Sequence, residues 1–142
     1  MLLPFDENGN LPPGVHQATW TEIVNRFGTS EHRQQLLSGL RAALDSLKAA
    51  GCKRAYIDGS LITNKDVPDD FDGCWEADGV VPERLDPVLL DFSAGRAAQK
   101  AKFLGEFFIA ETKVLGVGRT FLDFFQQDKE TGDPKGIIGI DL

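Results

Sequence analysis

Between Ser30 and Gly51 the residues Leu36, Leu37, Leu40, Ala43, Leu44 and Leu47 recur at helical spacing, which predicts one long amphipathic helix capped by Ser30 and ended by Gly51. An apolar stripe of that kind must face a core. A shorter helix is expected just before it: Thr19 with Glu22 three residues on has the pattern of a capping box, and Gly28 closes the segment. Directly after Gly51 the pattern changes. "CKRAYID" is short and glycine-bounded, with Cys52, Tyr56 and Asp58 on one face and Ala55 and Ile57 on the other, so it reads as a strand. A long helix followed at once by a short strand makes this a chain of mixed helix and strand.

The rest of the chain fits that class. A polar loop runs to Pro68, "FDGCWEA" is a second short strand beside the first, and "EFFIAE" is a third strand candidate. Pro82 to about Phe103 reads as mostly helical, interrupted near Pro87 and Gly95, with Pro87 a first-turn residue after Asp86. The C-terminal part holds an apolar segment, a turn at Thr131-Gly132-Asp133-Pro134, and a last strand through Ile137 and Ile140. We expect "KGIIGIDL" to be an exposed edge strand on which a second copy pairs, giving a homodimer. Residues 1–18, rich in turn residues, read as an extended N-terminal lead-in, and residues 19–142 as a single domain.

Composition excludes several classes. With 42% hydrophobic and 26% charged residues and no apolar run near the length of a membrane span, the chain is expected to be soluble. "MLLPFDENGN" lacks a basic region and its apolar run stops at Pro4, which argues against a signal or transit peptide and for the cytoplasm. A net charge of −7 argues against broad nucleic-acid binding; Lys100, Lys102, Lys113 and Arg119 have the spacing of solvated surface. Cys52 and Cys74 lie inside apolar runs and read as buried reduced thiols. His16 and His32 read as capping or surface residues, and Trp75 as core.

The chemistry concentrates in "YIDGSLITNKDVPDDFDGCWE". Asp70 and Asp72 are two residues apart, so on an extended backbone both carboxylates point to one face. Two carboxylates so held repel unless a cation sits between them, and a hard divalent ion, magnesium with manganese as the alternative, suits oxygen ligands. Magnesium binds through one or two carboxylates plus the phosphates of a substrate, so the pair makes most sense beside a nucleoside triphosphate. Gly59-Ser60 can supply a phosphate cradle, and Thr63, Asn64 and Lys65 lie where a triphosphate would pass.

"GSLITNKDVPDDFD" resembles the Gly-Ser, spacer, Asp-x-Asp signature of the polymerase-beta-like nucleotidyltransferase superfamily, especially its minimal single-domain bacterial members. "LPPGVHQAT", "KAAGCKRAYIDGS" and "FLDFFQQDKETGDPKGII" are similar to a bacterial family of small proteins of unknown function associated with that superfamily. The resemblance implies an α+β fold, a small mixed β-sheet flanked by helices and nucleotidyltransferase-like, with a two-metal site and transfer of a nucleoside monophosphate from a triphosphate to a protein or RNA hydroxyl. It assigns Gly59 and Ser60 to phosphates and Asp70 and Asp72 to magnesium. A third carboxylate from a later strand is implied; Glu106 is the first choice, with Glu111 and Asp91 as alternatives. Glu106 would replace the family's more usual Asp, and Gly73 stands where an apolar strand anchor is more common. Minimal members often sit in toxin–antitoxin or defence gene pairs, which implies a protein partner. The rival expectation is a catalytically inactive nucleotidyltransferase-like interaction or antitoxin module.

Overall fold

A computed structural model describes residues 2–142. Strands β1 (Gly14–Gln17), β2 (Arg54–Asp58), β3 (Asp72–Trp75), β4 (Glu106–Ile109) and β5 (Gly136–Asp141) form one sheet in the order β1-β5-β2-β3-β4. The β1–β5 and β3–β4 pairs are parallel, and β5–β2 and β2–β3 are antiparallel. Helices α1 (Trp20–Phe27), α2 (Glu31–Ala49), α3 (Ser93–Phe103) and the short α4 (Phe121–Phe124) complete the α+β fold.

Local chemistry sets the helix ends. Thr19 and Glu22 form the reciprocal capping box, with the Glu22 amide donating to Thr19 Oγ1 at 3.2 Å and the Thr19 amide donating to Glu22 Oε1 at 3.1 Å. Ser30 Oγ accepts from the Arg33 amide at 3.1 Å and caps α2. The leucine stripe of α2 is buried throughout, against Ala55, Ile57, Trp75, Phe107, Ile138 and Ile140 from one face of the sheet. The opposite face carries Tyr56, Cys74 and Ile137 under Phe125 and Ala110, with Phe108, Phe121 and Phe124 packed around them. The layers are therefore helices, sheet and a smaller aromatic layer.

Two expectations change. The C-terminal strand is interior, paired with β1 on one side and β2 on the other, so the edges are β1 and β4 and the second-copy contact through "KGIIGIDL" has no free strand to use. Burial explains it: Ile137 and Ile138 point to opposite faces and both are fully covered, as suits a central strand. Gly14–Gln17, inside the expected lead-in, is a sheet strand. The region from Pro82 to Phe103 is mostly helical with the expected interruptions, as two 3₁₀ turns, Pro82–Arg84 and Pro87–Leu90, and then α3, whose first turn is broken around Gly95. Asp86 caps the second turn, its carboxylate accepting from the Val88 amide at 3.0 Å.

Gly73 is an ordinary ladder residue, opposite Ile57 and Phe107. A Cβ there would fall 2.6 Å from the Phe107 ring, so the missing side chain makes room for a core aromatic. Among the described residues no helix is long and apolar enough to cross a membrane.

Candidate functional site

Register assembles the acids. Asp58, the last residue of β2, is paired with Asp72, the first of β3, and Asp72 with Glu106, the first of β4. Neighbouring strands lie about 4.8 Å apart and in-register residues share a face, so three carboxylates line up across one end of the sheet. They lie on the face away from α2, the face that carries Tyr56 and Cys74. Asp70 precedes β3, and Phe71 between the two aspartates is fully buried, which anchors the approach.

Gly59 makes the turn out of β2 at φ +94°. A Cβ there would sit 2.9 Å from the Asp72 amide nitrogen and 3.1 Å from Phe71 Cα. Conformation and space both demand glycine. We expect Gly59→Ala to cost about 2–3 kcal/mol in denaturant unfolding, because it adds a strained φ to a backbone clash. A cost below ~0.5 kcal/mol would contradict this reading of the turn.

Charge is distributed unevenly over the row. Asp58, whose side chain is only 4% exposed, accepts from Lys135 Nζ at 2.6 Å. Glu106 Oε2 accepts from Arg96 Nε at 2.8 Å, and Lys100 Nζ lies 3.6 Å from the same oxygen. Arg96 is delivered there by a left-handed turn, with φ of 50°, 65° and 63° at Ala94, Gly95 and Arg96. Both outer carboxylates thus carry fixed protein cations. Among the described residues no ion pair reaches Asp70 or Asp72. Burial, then the charges of Asp70, Asp58 and Glu106, push the Asp72 carboxyl up to about 7. Burial and then Glu106 raise Asp70 as well. Burial also raises Asp58, with Lys135 opposing it.

A cleft of about 370 Å³ opens over these groups and is lined by Gly59, Ser60, Thr63, Lys65, Asp70 and Asp72, all singled out in the sequence. Asp58, Lys129 and Lys135 line it too. Glu106, in register beside Asp72, is not among its lining residues. The hydroxyls hold the loop: Ser60 Oγ donates to the Asp70 carbonyl at 3.3 Å, and Thr63 Oγ1 donates to the Ser60 carbonyl at 2.7 Å. Lys65 Nζ lies 3.2 Å from Asp69 Oδ2. Asp69 and Asp70 also line a second cleft of about 350 Å³, walled by His32, Gln35, Leu36, Lys100 and Leu104. The His32 Nε2–H donates to the Pro68 carbonyl there.

A larger groove, about 440 Å³, lies against α1, α2 and the end of β5, but Arg41 in its wall is already paired with Asp45 at 3.2 Å and lies over Trp20. Volume does not mark the chemistry here.

The other sequence candidates fall elsewhere. Glu111 accepts from the Ala77 amide at 3.2 Å, beyond the far end of β3. Asp91 is occupied by the Ser93 amide and hydroxyl. Trp75, Cys52 and Cys74 are buried, the cysteines unpaired, and His16 donates from Nε2 to the Pro12 carbonyl at 2.6 Å. Sequence reasoning placed Asp58 on its strand face without giving it a role and passed over Lys129 and Lys135. The alternation of "RAYID" pointed Asp58 correctly; nothing local marked the lysines.

Among the described residues no group of three or more His, Cys, Asp or Glu side chains is gathered to hold a metal ion. Asp70 and Asp72 are the two carboxylates left without a cation, and a two-carboxylate donor set completed by phosphate and water is the mode that suits magnesium. The donor chemistry fits one such ion. The comparison with family models finds a match over residues 3–141 to a family described as Family of unknown function (DUF6932). No curated protein and no solved structure matches the chain.

Proposed function

The chain belongs to the DUF6932 family of unknown function, and from its site we propose a magnesium-dependent nucleotidyltransferase that moves a nucleoside monophosphate from a triphosphate to a protein or RNA hydroxyl in the cytoplasm. The observation that carries this reading is a pair of half-buried carboxylates that no protein cation reaches, set in a cleft whose lining of six carboxylates and three lysines calls for an added cation. Asp70 and Asp72 are raised by burial and by their acidic neighbours, while Lys65, Lys129 and Lys135 line the same cleft as Gly59-Ser60. A cation held by the two aspartates would relieve their repulsion and neutralise phosphate charge.

The residues divide the work by position. Lys65 and Lys135 are shared with Asp69 and Asp58, so the lysines, Lys129 among them, would meet the triphosphate only once a cation offsets the acids of the lining, and the Gly59 turn lets the backbone approach it closely. In-line displacement needs attacking and leaving oxygens on opposite sides of the α-phosphorus. The two clefts that meet at Asp69-Asp70 supply those sides, with the leaving pyrophosphate beside the lysines and the acceptor hydroxyl arriving past His32 and Gln35. Glu106, held by Arg96 and Lys100, acts in this reading as an orienting carboxylate rather than a free base.

The pairing of Asp58 and Glu106 with protein cations, together with the lack of a three-ligand group among the described residues, favours a second reading: an inactive interaction or antitoxin module. One experiment separates the two. Incubating the protein and host lysate with α-phosphate-labelled nucleotides in magnesium or manganese should label an acceptor, and Asp70→Asn/Asp72→Asn should remove the label. Absence of label with every nucleotide, alongside partner binding that the double variant retains, would assign the protein to the interaction class.

A further inference from the structure

Arg33 is the one arginine of α2 that is buried, at 5% exposure. Its guanidinium reaches across to the loop that follows Gly59-Ser60. Nη1 donates to the Leu61 carbonyl at 2.6 Å and, more weakly, to the Phe27 carbonyl at 3.5 Å. Nη2 donates to the carbonyls of Thr63 at 2.8 Å and Lys65 at 2.5 Å. Among the described residues it makes no ion pair with a carboxylate. A buried charge satisfied only by backbone carbonyls is a costly arrangement, and a planar fork of donors is what lets one side chain grip alternate carbonyls of a single loop.

Leu61 and Ile62 are anchored in the core, but beyond them the gripped segment has little else to hold it. Between β2 and β3 lies only the three-residue 3₁₀ turn Ser60–Ile62, then irregular backbone to Phe71. Apart from Arg33, the ties from 63 to 65 are the Thr63 amide and hydroxyl to the Ser60 carbonyl, the Lys65 amide to Thr63 Oγ1, the Asn64 amide to the Gly9 carbonyl, and the surface pair Lys65–Asp69. Thr63 and Lys65 are also cleft residues. Loosening the segment therefore moves a wall of the cleft.

We propose that Arg33 is a positioning residue of the nucleotide site, holding the 61–65 loop so that Thr63 and Lys65 are preset for the triphosphate. This rests on the nucleotidyltransferase reading above. Preorganisation saves the entropy of ordering a loop at the moment of binding, so its loss appears in affinity more than in turnover at saturation.

The test uses the full chain as wild type, Arg33→Lys and Arg33→Met. Binding of magnesium complexes of ATP, GTP, CTP and UTP is measured by calorimetry, labelled transfer gives KM and kcat, and backbone exchange is read by mass spectrometry. Arg33→Met should speed exchange of residues 60–66 about tenfold while β2 and β5 stay protected, and should raise Kd and KM for the bound nucleotide at least tenfold with kcat within about threefold. Arg33→Lys, which keeps the charge and loses the fork, should fall between them, and it carries the test should the methionine variant fail to fold. Millimolar methylguanidinium should restore part of the affinity of Arg33→Met and none of Arg33→Lys. Unchanged nucleotide affinity in a variant whose 60–66 segment exchanges faster would overturn the proposal. A uniform rise in exchange would do the same, reducing Arg33 to a fold residue. Wild-type protein that binds none of the four nucleotides would instead overturn the nucleotide reading itself.

Discussion

Asp72→Asn is expected to make the protein more stable and, on the proposed function, inactive. The Asp72 carboxyl is raised from 3.8 in the free residue to about 7 by burial and by Asp70, Asp58 and Glu106. A carboxyl raised on folding holds its proton more tightly in the folded state, so wild-type stability falls as pH rises from about 4 through 7. The penalty is absent below the unfolded pKa and complete above the folded one. At about 1.4 kcal/mol per pKa unit, and with Asp72 partly reached by solvent, asparagine should add about 2–4 kcal/mol at pH 8. That advantage should shrink progressively on titration from pH 8 to pH 4. Urea unfolding at four pH values reads it directly, and equal stabilisation at every pH would mean that packing rather than charge is responsible. Magnesium should stabilise wild type at pH 8 by mass action and leave Asp72→Asn unmoved. Transfer, if catalysed, should fall by ~10²–10³-fold, as for loss of a group that stabilises developing charge.

Lys135→Met should have the opposite effect on stability. The Asp58–Lys135 pair has side-chain exposures of 4% and 14% and a 2.6 Å contact. Removing the ammonium leaves a buried carboxylate without its partner, which costs about 3–5 kcal/mol. The charge-neutral double variant Asp58→Asn/Lys135→Met should recover most of that loss, since a buried pair is worth little net against a neutral replacement. The cycle gives the coupling energy, and a single-variant cost below ~1 kcal/mol would show that water reaches Asp58 freely. Should the double variant be stable and bind no nucleotide, Lys135 belongs to the phosphate wall as well as to the fold.

The parts of the site that were legible in the sequence lie close together along it. Gly59, Ser60, Thr63, Lys65, Asp70 and Asp72 fall within fourteen residues, and the cleft gathers all of them. Glu106 was the third carboxylate chosen, and it does stand in register with Asp72. Its charge state was not legible, because Arg96 reaches it through three left-handed residues for which "SAGR" offers one glycine. Asp58 and Lys135 are 77 residues apart, and Arg33 lies 28 to 32 residues before the carbonyls it grips. No periodicity links such positions.

The fold divides in the same way. Thr19, Ser30 and the leucine stripe of α2 determined two helices and their ends by themselves, because capping and amphipathic spacing are properties of neighbouring residues. Alternation in "RAYID" and the apolar "EFFI" likewise determined strands β2 and β4. Only the tertiary structure decided that β5 lies inside the sheet, that β1 completes an edge, and which two carboxylates are left without a cation. Strand order, desolvation and ion pairing depend on which distant segments are brought side by side, and one-dimensional pattern carries no record of that distance.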